Sequence, residues 1–195
     1  MENIVNEPAP KYNYISEQDY LVTERAALEK HEYYQGEVFA MSGASLKHNR
    51  IAVNTLTDLA NKLKGKSCQP YGSDLRIHIP KNTLYTYPDI SIICGNTELT
   101  DEHFDTATNP TVIIELLSKS TRNYDRFEKF SLYREIASLN EYILIDTQKL
   151  HVEKHIRNAD NSWQLTDYYS ISDSITISSV NVTVSLTDIY AGISF

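Results

Sequence analysis

Cysteine is nearly missing from this chain: Cys68 and Cys94 are the only two among 195 residues. Two thiols so widely spaced predict neither a disulfide framework nor a cysteine-based zinc site, and read instead as small buried apolar residues in a reducing cytoplasm. Long hydrophobic runs are missing as well. No stretch approaches the ~20 apolar residues of a membrane helix, and Met1 to Glu7 lacks the basic-then-apolar order of a secretory signal. There is no Gly-rich phosphate loop and no Gly-x-Ser-x-Gly elbow. Positive charge is short too. A formal charge of −8 excludes tight binding of nucleic acid by electrostatics alone, which needs a basic footprint. The expectation from these absences is a cytoplasmic, soluble protein without membrane segments.

What is present is an ordinary globular composition, 41% apolar and 23% charged, enough for a sizeable core in one domain. The charge is unevenly spread. Residues 45–134 hold twelve Lys and Arg against ten Asp and Glu, whereas both flanks are strongly acidic. Lys62, Lys64 and Lys66 form one basic group; Lys119, Arg122, Arg126, Lys129 and Arg134 form another. Either group suits phosphates; the alternative is a solvated surface, which for Lys62, Lys64 and Lys66 is an equal reading.

Residues 1–13 read as a flexible leader and 14–195 as a single domain. Ser16-Glu17-Gln18-Asp19 resembles a capping box and predicts a helix to about Lys30. Residues 32–40 predict a hairpin turning at Gln35-Gly36. Ile51, Leu56, Leu59, Ala60 and Leu63 recur near a 3.6 period, predicting a helix over 46–64 stopped by Gly65. Strands are expected at 67–71, 74–79 and 84–94, then a polar excursion over 95–110. After a strand around Glu115 come a helix over 122–138, a strand at 141–146 and another at 150–156. Alternation in Val180 to Leu186 predicts peripheral C-terminal strands. The fold class is therefore α/β: a mixed central sheet flanked by helices.

Two acids stand where a sheet prefers hydrocarbon. Asp89 lies in Tyr87-Pro88-Asp89-Ile90-Ser91-Ile92-Ile93, and Glu115 in Thr111-Val112-Ile113-Ile114-Glu115-Leu116-Leu117. A buried carboxylate costs several kcal/mol unless it is paired or holds a metal. Two such groups near one lysine suit a divalent cation and phosphodiester chemistry. Lys129 shares a helix side with Leu132, Tyr133 and Ile136, so it points inward. His151 and His155 are four apart, too far along a strand to chelate one zinc.

The chain resembles the Uma2 family of putative endonucleases, in the PD-(D/E)XK (restriction endonuclease-like) superfamily. The likeness spans about residues 15–156. It runs through Tyr33-Tyr34-Gln35-Gly36-Glu37-Val38, His48-Asn49-Arg50-Ile51, Ser73-Asp74-Leu75-Arg76, Pro88-Asp89, Ile114-Glu115-Leu116-Leu117-Ser118, Asp125, Lys129 and Tyr133. The resemblance implies a restriction endonuclease-like core, with Asp89 and Glu115 holding Mg²⁺ or Mn²⁺, helped by the Leu116 carbonyl. The strict motif would put lysine at Leu117. The resemblance instead implies Lys129, from the following helix, to orient water or stabilise the transition state, with Lys119 as the rival. Glu37, His48, Asp74 and Ser118 are accessory candidates, each with an ordinary structural reading beside the functional one. DNA is the implied partner, cut by a homodimer. The alternative is an inactive nuclease fold that binds nucleic acid or protein.

Overall fold

Strand pairing sorts the chain into two sheets and a separate hairpin, in a computed structural model that describes residues 14–195. The leader expected at 1–13 lies outside the described residues. Helix α1 (Glu17–Ala26) starts where the Ser16 hydroxyl accepts the Asp19 N–H. It ends four residues before the expected Lys30, because Ala27 is already extended and Leu28 turns fully into solvent. Strands β1 (His31–Tyr34) and β2 (Glu37–Ala40) pair antiparallel around Gln35 and Gly36. Both turn residues have positive φ, 49° and 91°, the signature of a tight hairpin for which Gly36 is suited. Helix α2 (Leu46–Leu63) buries Ile51, Thr55, Leu59 and Leu63 along one stripe.

The six-stranded sheet runs β11-β10-β9-β8-β6-β3. Its centre is β8 (Val112–Leu117), buried at every residue, between β6 (Ile90–Cys94) and β9 (Glu141–Asp146). β3 (Cys68–Gly72) and the strands β10 (Val152–Arg157) and β11 (Trp163–Tyr168) complete it. β8 runs parallel to β9, so a crossover must join them. That crossover carries a π-helical segment, Tyr124–Lys129, continued by α3 (Phe130–Tyr133). The helix expected to reach residue 138 stops at Tyr133, and turns fill the remainder.

The second sheet contains β1, β2, β4 (Arg76–Ile79), β5 (Leu84–Thr86) and β7 (Thr106–Ala107). The polar excursion at 95–110 thus supplies a short edge strand. The single strand expected over 84–94 is really β5 and β6, in different sheets. Pro88 lacks the N–H that a continuous ladder needs, so the chain breaks there and Asp89 sits at the bend entering β6.

The C-terminal hairpin, β12 (Ser174–Ile177) and β13 (Val182–Ser185), is less peripheral than expected. Ile175, Ile177, Val182 and Val184 are all buried, in the same cluster as Ile51 and Leu59 of α2. Helix α4 (Leu186–Ile189) closes the chain. Cys68 and Cys94 correct another expectation. They face each other across the β3–β6 register and are joined as a disulfide. Distance along the sequence is no guide to distance across antiparallel partners, and the cysteines lend no support to a reducing compartment. No described helix is long and apolar enough to cross a membrane.

Candidate active site

Alternation along β8 turns Ile113, Glu115 and Leu117 to one face. Ile113 and Leu117 enter the cluster containing Tyr133, Tyr142 and Leu144. Leu117 is fully buried, so a lysine there would need its own buried partners. Glu115 instead meets the crossover helix. Its Oε1 accepts from Lys129 Nζ at 2.9 Å and from the Tyr133 hydroxyl at 2.8 Å. Its Oε2 accepts the Asp89 N–H at 3.2 Å. Asp89 returns the contact, its Oδ2 accepting the Leu116 N–H at 2.8 Å. The two acids are therefore cross-tied through each other's strands, and β6 and β8 are direct neighbours with Ile90 opposite Ile114.

Lys129 is almost wholly buried, and its ammonium also reaches Glu32 Oε1 at 2.9 Å. Glu32 accepts a short hydrogen bond from the Thr86 hydroxyl. Asp125, four residues before Lys129 and so on the same helical side, is 5% exposed. His48 Nε2 stands 3.2 Å from Asp89 Oδ1. Four carboxylates, Glu32, Asp89, Glu115 and Asp125, thus gather around one lysine and one histidine.

That imbalance is visible in the proton affinities. Burial, joined by the charges of Asp89 and Asp125, raises Glu115 to about 8 despite the opposing pull of Lys129. Burial likewise raises Asp125. Burial works to lower Lys129, but Glu115, Tyr133, Glu32 and Asp125 outweigh it and push the ammonium well above its ordinary value. Lys129 is a fixed positive charge and not a base. Burial also disfavours His48 in its charged form, yet its bond to Asp89 and the nearby Glu115 and Asp125 charges lift it above its ordinary value.

Asp89, Glu115, Lys129 and His48, chosen from the sequence, are brought together. Three other accessory candidates are not in contact with them. Glu37 is solvent-exposed on β2; the hairpin acid that reaches Lys129 is Glu32, on the inward side of the neighbouring strand. Asp74 is 95% exposed and paired with Lys30 at 2.6 Å. Ser118 bonds Ser120 and Thr121, shaping the turn into the crossover helix. Lys119 is exposed on that turn. Sequence reasoning missed Glu32 and the charge of Asp125. The i, i+4 spacing from Asp125 to Lys129 was an available signal; for Glu32 there was none, since Tyr33 beside it is buried as well and no alternation marks the strand.

His151 does not pair with His155 but with Asp167, at 2.7 Å, beside Glu153. The Arg126 guanidinium already neutralises Glu153, which makes this group an ion-pair network tying the crossover helix to β10 and β11.

Comparison with known proteins agrees with the fold. A family model described as "Uma2: Putative restriction endonuclease" matches residues 17–187. An uncharacterized Synechocystis protein, slr1290, is 33% identical over 192 residues, covering 98% of this chain and all of its own length. A second Synechocystis protein, sll1609, is 37% identical over 149 residues, 76% of this chain and 84% of its own. A crystal structure described as a putative nuclease belonging to DUF820, from Anabaena variabilis, superposes with a TM-score of 0.71 at 16% identity, covering 85% of this chain and 92% of the other.

Proposed function

We propose, from the premise that this chain belongs to the Uma2 family, that it is a divalent-metal-dependent endonuclease hydrolysing phosphodiester bonds in DNA. The observation that carries this reading is the excess of acid around Lys129, with Glu115 held near 8. Such a cluster is costly without a cation. All four acids offer oxygen, the donor that Mg²⁺ and Mn²⁺ prefer, so the residues fit the ion. Asp89 and Glu115 would hold it. A bound ion supplies an acidified water and Lewis acidity toward the phosphate.

The remaining work falls to the chain's own groups. Tyr133 and the Asp89 N–H fix the two Glu115 oxygens. The Leu116 N–H and His48 fix Asp89. Lys129, permanently charged, offsets negative charge building on the phosphate oxygens. One such site cuts one strand, so cleavage of a duplex calls for two copies and a homodimer, checked by sedimentation. The direct test is supercoiled plasmid with Mg²⁺ or Mn²⁺. Nicked or linear product that disappears with EDTA is expected; intact plasmid across both ions and a range of pH, from folded protein, would sink the reading.

A second expectation concerns pH. Because Glu115 is raised from 4.5 to about 8, the native state keeps a proton that the unfolded chain has lost. This contribution to stability is complete below about 4.5 and is lost as pH rises through about 8. Ion binding must displace the same proton. The rise in melting temperature caused by Mn²⁺ should therefore be small at pH 6 and grow toward pH 8.5. Glu115→Gln should flatten this dependence. A Mn²⁺ shift equal at both pH values would contradict it.

A further inference from the structure

The crossover helix is not an ordinary α-helix where it meets the site. Residues Tyr124–Lys129 are wound in the wider π register, in which each N–H reaches back five residues instead of four. In α geometry the Lys129 N–H would donate to the Asp125 carbonyl. In the π register it turns to Tyr124, and the donor that register offers the Asp125 carbonyl is the Phe130 N–H, which goes to the Phe127 carbonyl, leaving room on the Asp125 carbonyl for another donor. That carbonyl accepts instead from the Tyr142 hydroxyl, on β9, at 3.0 Å.

The wide turn has a geometric effect on the site. Asp125 and Tyr133 are eight residues apart, which in an α-helix at about 100° per residue leaves them roughly 80° apart around the axis. Absorbing one residue in the wide turn brings them to within about 20°. Asp125, Lys129 and Tyr133 then share one face, and Lys129 and Tyr133 both reach Glu115 Oε1. A polar group in this position is also hard to replace. Tyr142 is fully buried, its ring stacked on Phe130 at 5.1 Å and tilted against Tyr133 at 5.5 Å. An unpaired carbonyl in such buried surroundings carries a desolvation penalty. Burial, with the charges of Glu115 and Asp125, keeps the hydroxyl protonated at every physiological pH, so the donor is always available.

We propose that Tyr142 is a positioning residue: its hydroxyl holds the crossover helix in the π register at Asp125, and so keeps Asp125, Lys129 and Tyr133 aimed together at the site. Without that bond the Asp125 carbonyl is recaptured by the Lys129 N–H, the ordinary α arrangement. The two halves of the helix then rotate against each other by about 100°. This inference rests on the nuclease reading for its kinetic consequence, but not for its structural one.

The test is Tyr142→Phe, which keeps the ring and its stacking and deletes only the donor. With supercoiled plasmid and Mn²⁺, kcat should fall about tenfold while KM stays within twofold, since misaligned groups at the reacting centre lose rate more than binding. Hydrogen exchange should quicken at the amides of 125–130 and remain unchanged along β8 and β9. A variant merely weakened as a whole would show faster exchange throughout the sheet, and that result would overturn the proposal. So would wild-type kcat with unchanged exchange. Lys129→Ala, run beside it, separates the two readings: if it cuts like the parent, the nuclease assignment fails. In that case, or if the parent cuts nothing, a crystal structure of Tyr142→Phe decides. An α register at 124–129 supports the positioning role, and a retained π register refutes it.

Discussion

Asp89→Asn should lower plasmid cleavage by about a thousandfold or more while leaving the fold intact. The reasoning lies in what each Asp89 oxygen does. Oδ2 accepts the Leu116 N–H, a bond that an amide oxygen makes equally well. The new amide nitrogen then faces His48, whose neutral ring offers an acceptor. Asp89 is also the most exposed of the contacts just described, with a fifth of its side chain open to solvent, and it stands among three further acids. Removing one negative charge from that group relieves repulsion, so the melting temperature should hold or rise slightly. On the proposed reading, however, an ion would lose one of its two anionic ligands, and the preorganised charge that the reaction needs would go with it. Calorimetric titration should show Mn²⁺ affinity at least tenfold weaker. Cleavage within twofold of the parent would remove Asp89 from the site.

Lys129→Met should be the most destabilising single change at the site, at about 3–5 kcal/mol. Methionine follows the lysine stem closely, so the loss is the ammonium and not the packing. Its departure strands the Glu32 carboxylate and takes a donor from Glu115, both 2.9 Å from the nitrogen, beside the buried Asp125. For a chain of this size the melting temperature should drop by about 10 °C. Two companions make the cause legible. Lys129→Met/Glu32→Gln should recover much of the stability, because it also removes the carboxylate stranded opposite the lost ammonium, yet recover no cleavage. Mn²⁺ should protect the single variant more than it protects the parent, since a cation then answers the surplus acid. Urea denaturation gives both numbers, and parental stability for Lys129→Met would show that the ion pair is worth nothing to the fold.

These two residues also mark how far residue patterns reach. Asp89 and Glu115 were conspicuous because short apolar strands made their burial expensive, and the helical spacing of Lys129 from Tyr133 and Ile136 turned it inward. Glu37 and Asp74 failed for a common reason. An acid beside a turn reads alike whether its strand presents it inward or outward, and that depends on which sheet the hairpin joins. The strand expected over 84–94 concealed a change of sheet at Pro88. Glu32 became visible only once β1 was placed beside β5, next to the crossover helix.

What the residues determined alone were the local, periodic features: the amphipathic stripe of α2, the turn at Gln35-Gly36, the continuous burial of β8 and the two acids too costly to leave unpartnered. What only the tertiary structure decided were the relations between distant segments: the cross-tie of Asp89 and Glu115, the fourth carboxylate on β1, the Cys68–Cys94 bond and the π turn held by Tyr142. Periodicity records which face of an element is buried, because that depends on neighbours a few residues away. Which charges meet across that face depends on loop closure and sheet order, and those are settled by the packing of the whole core.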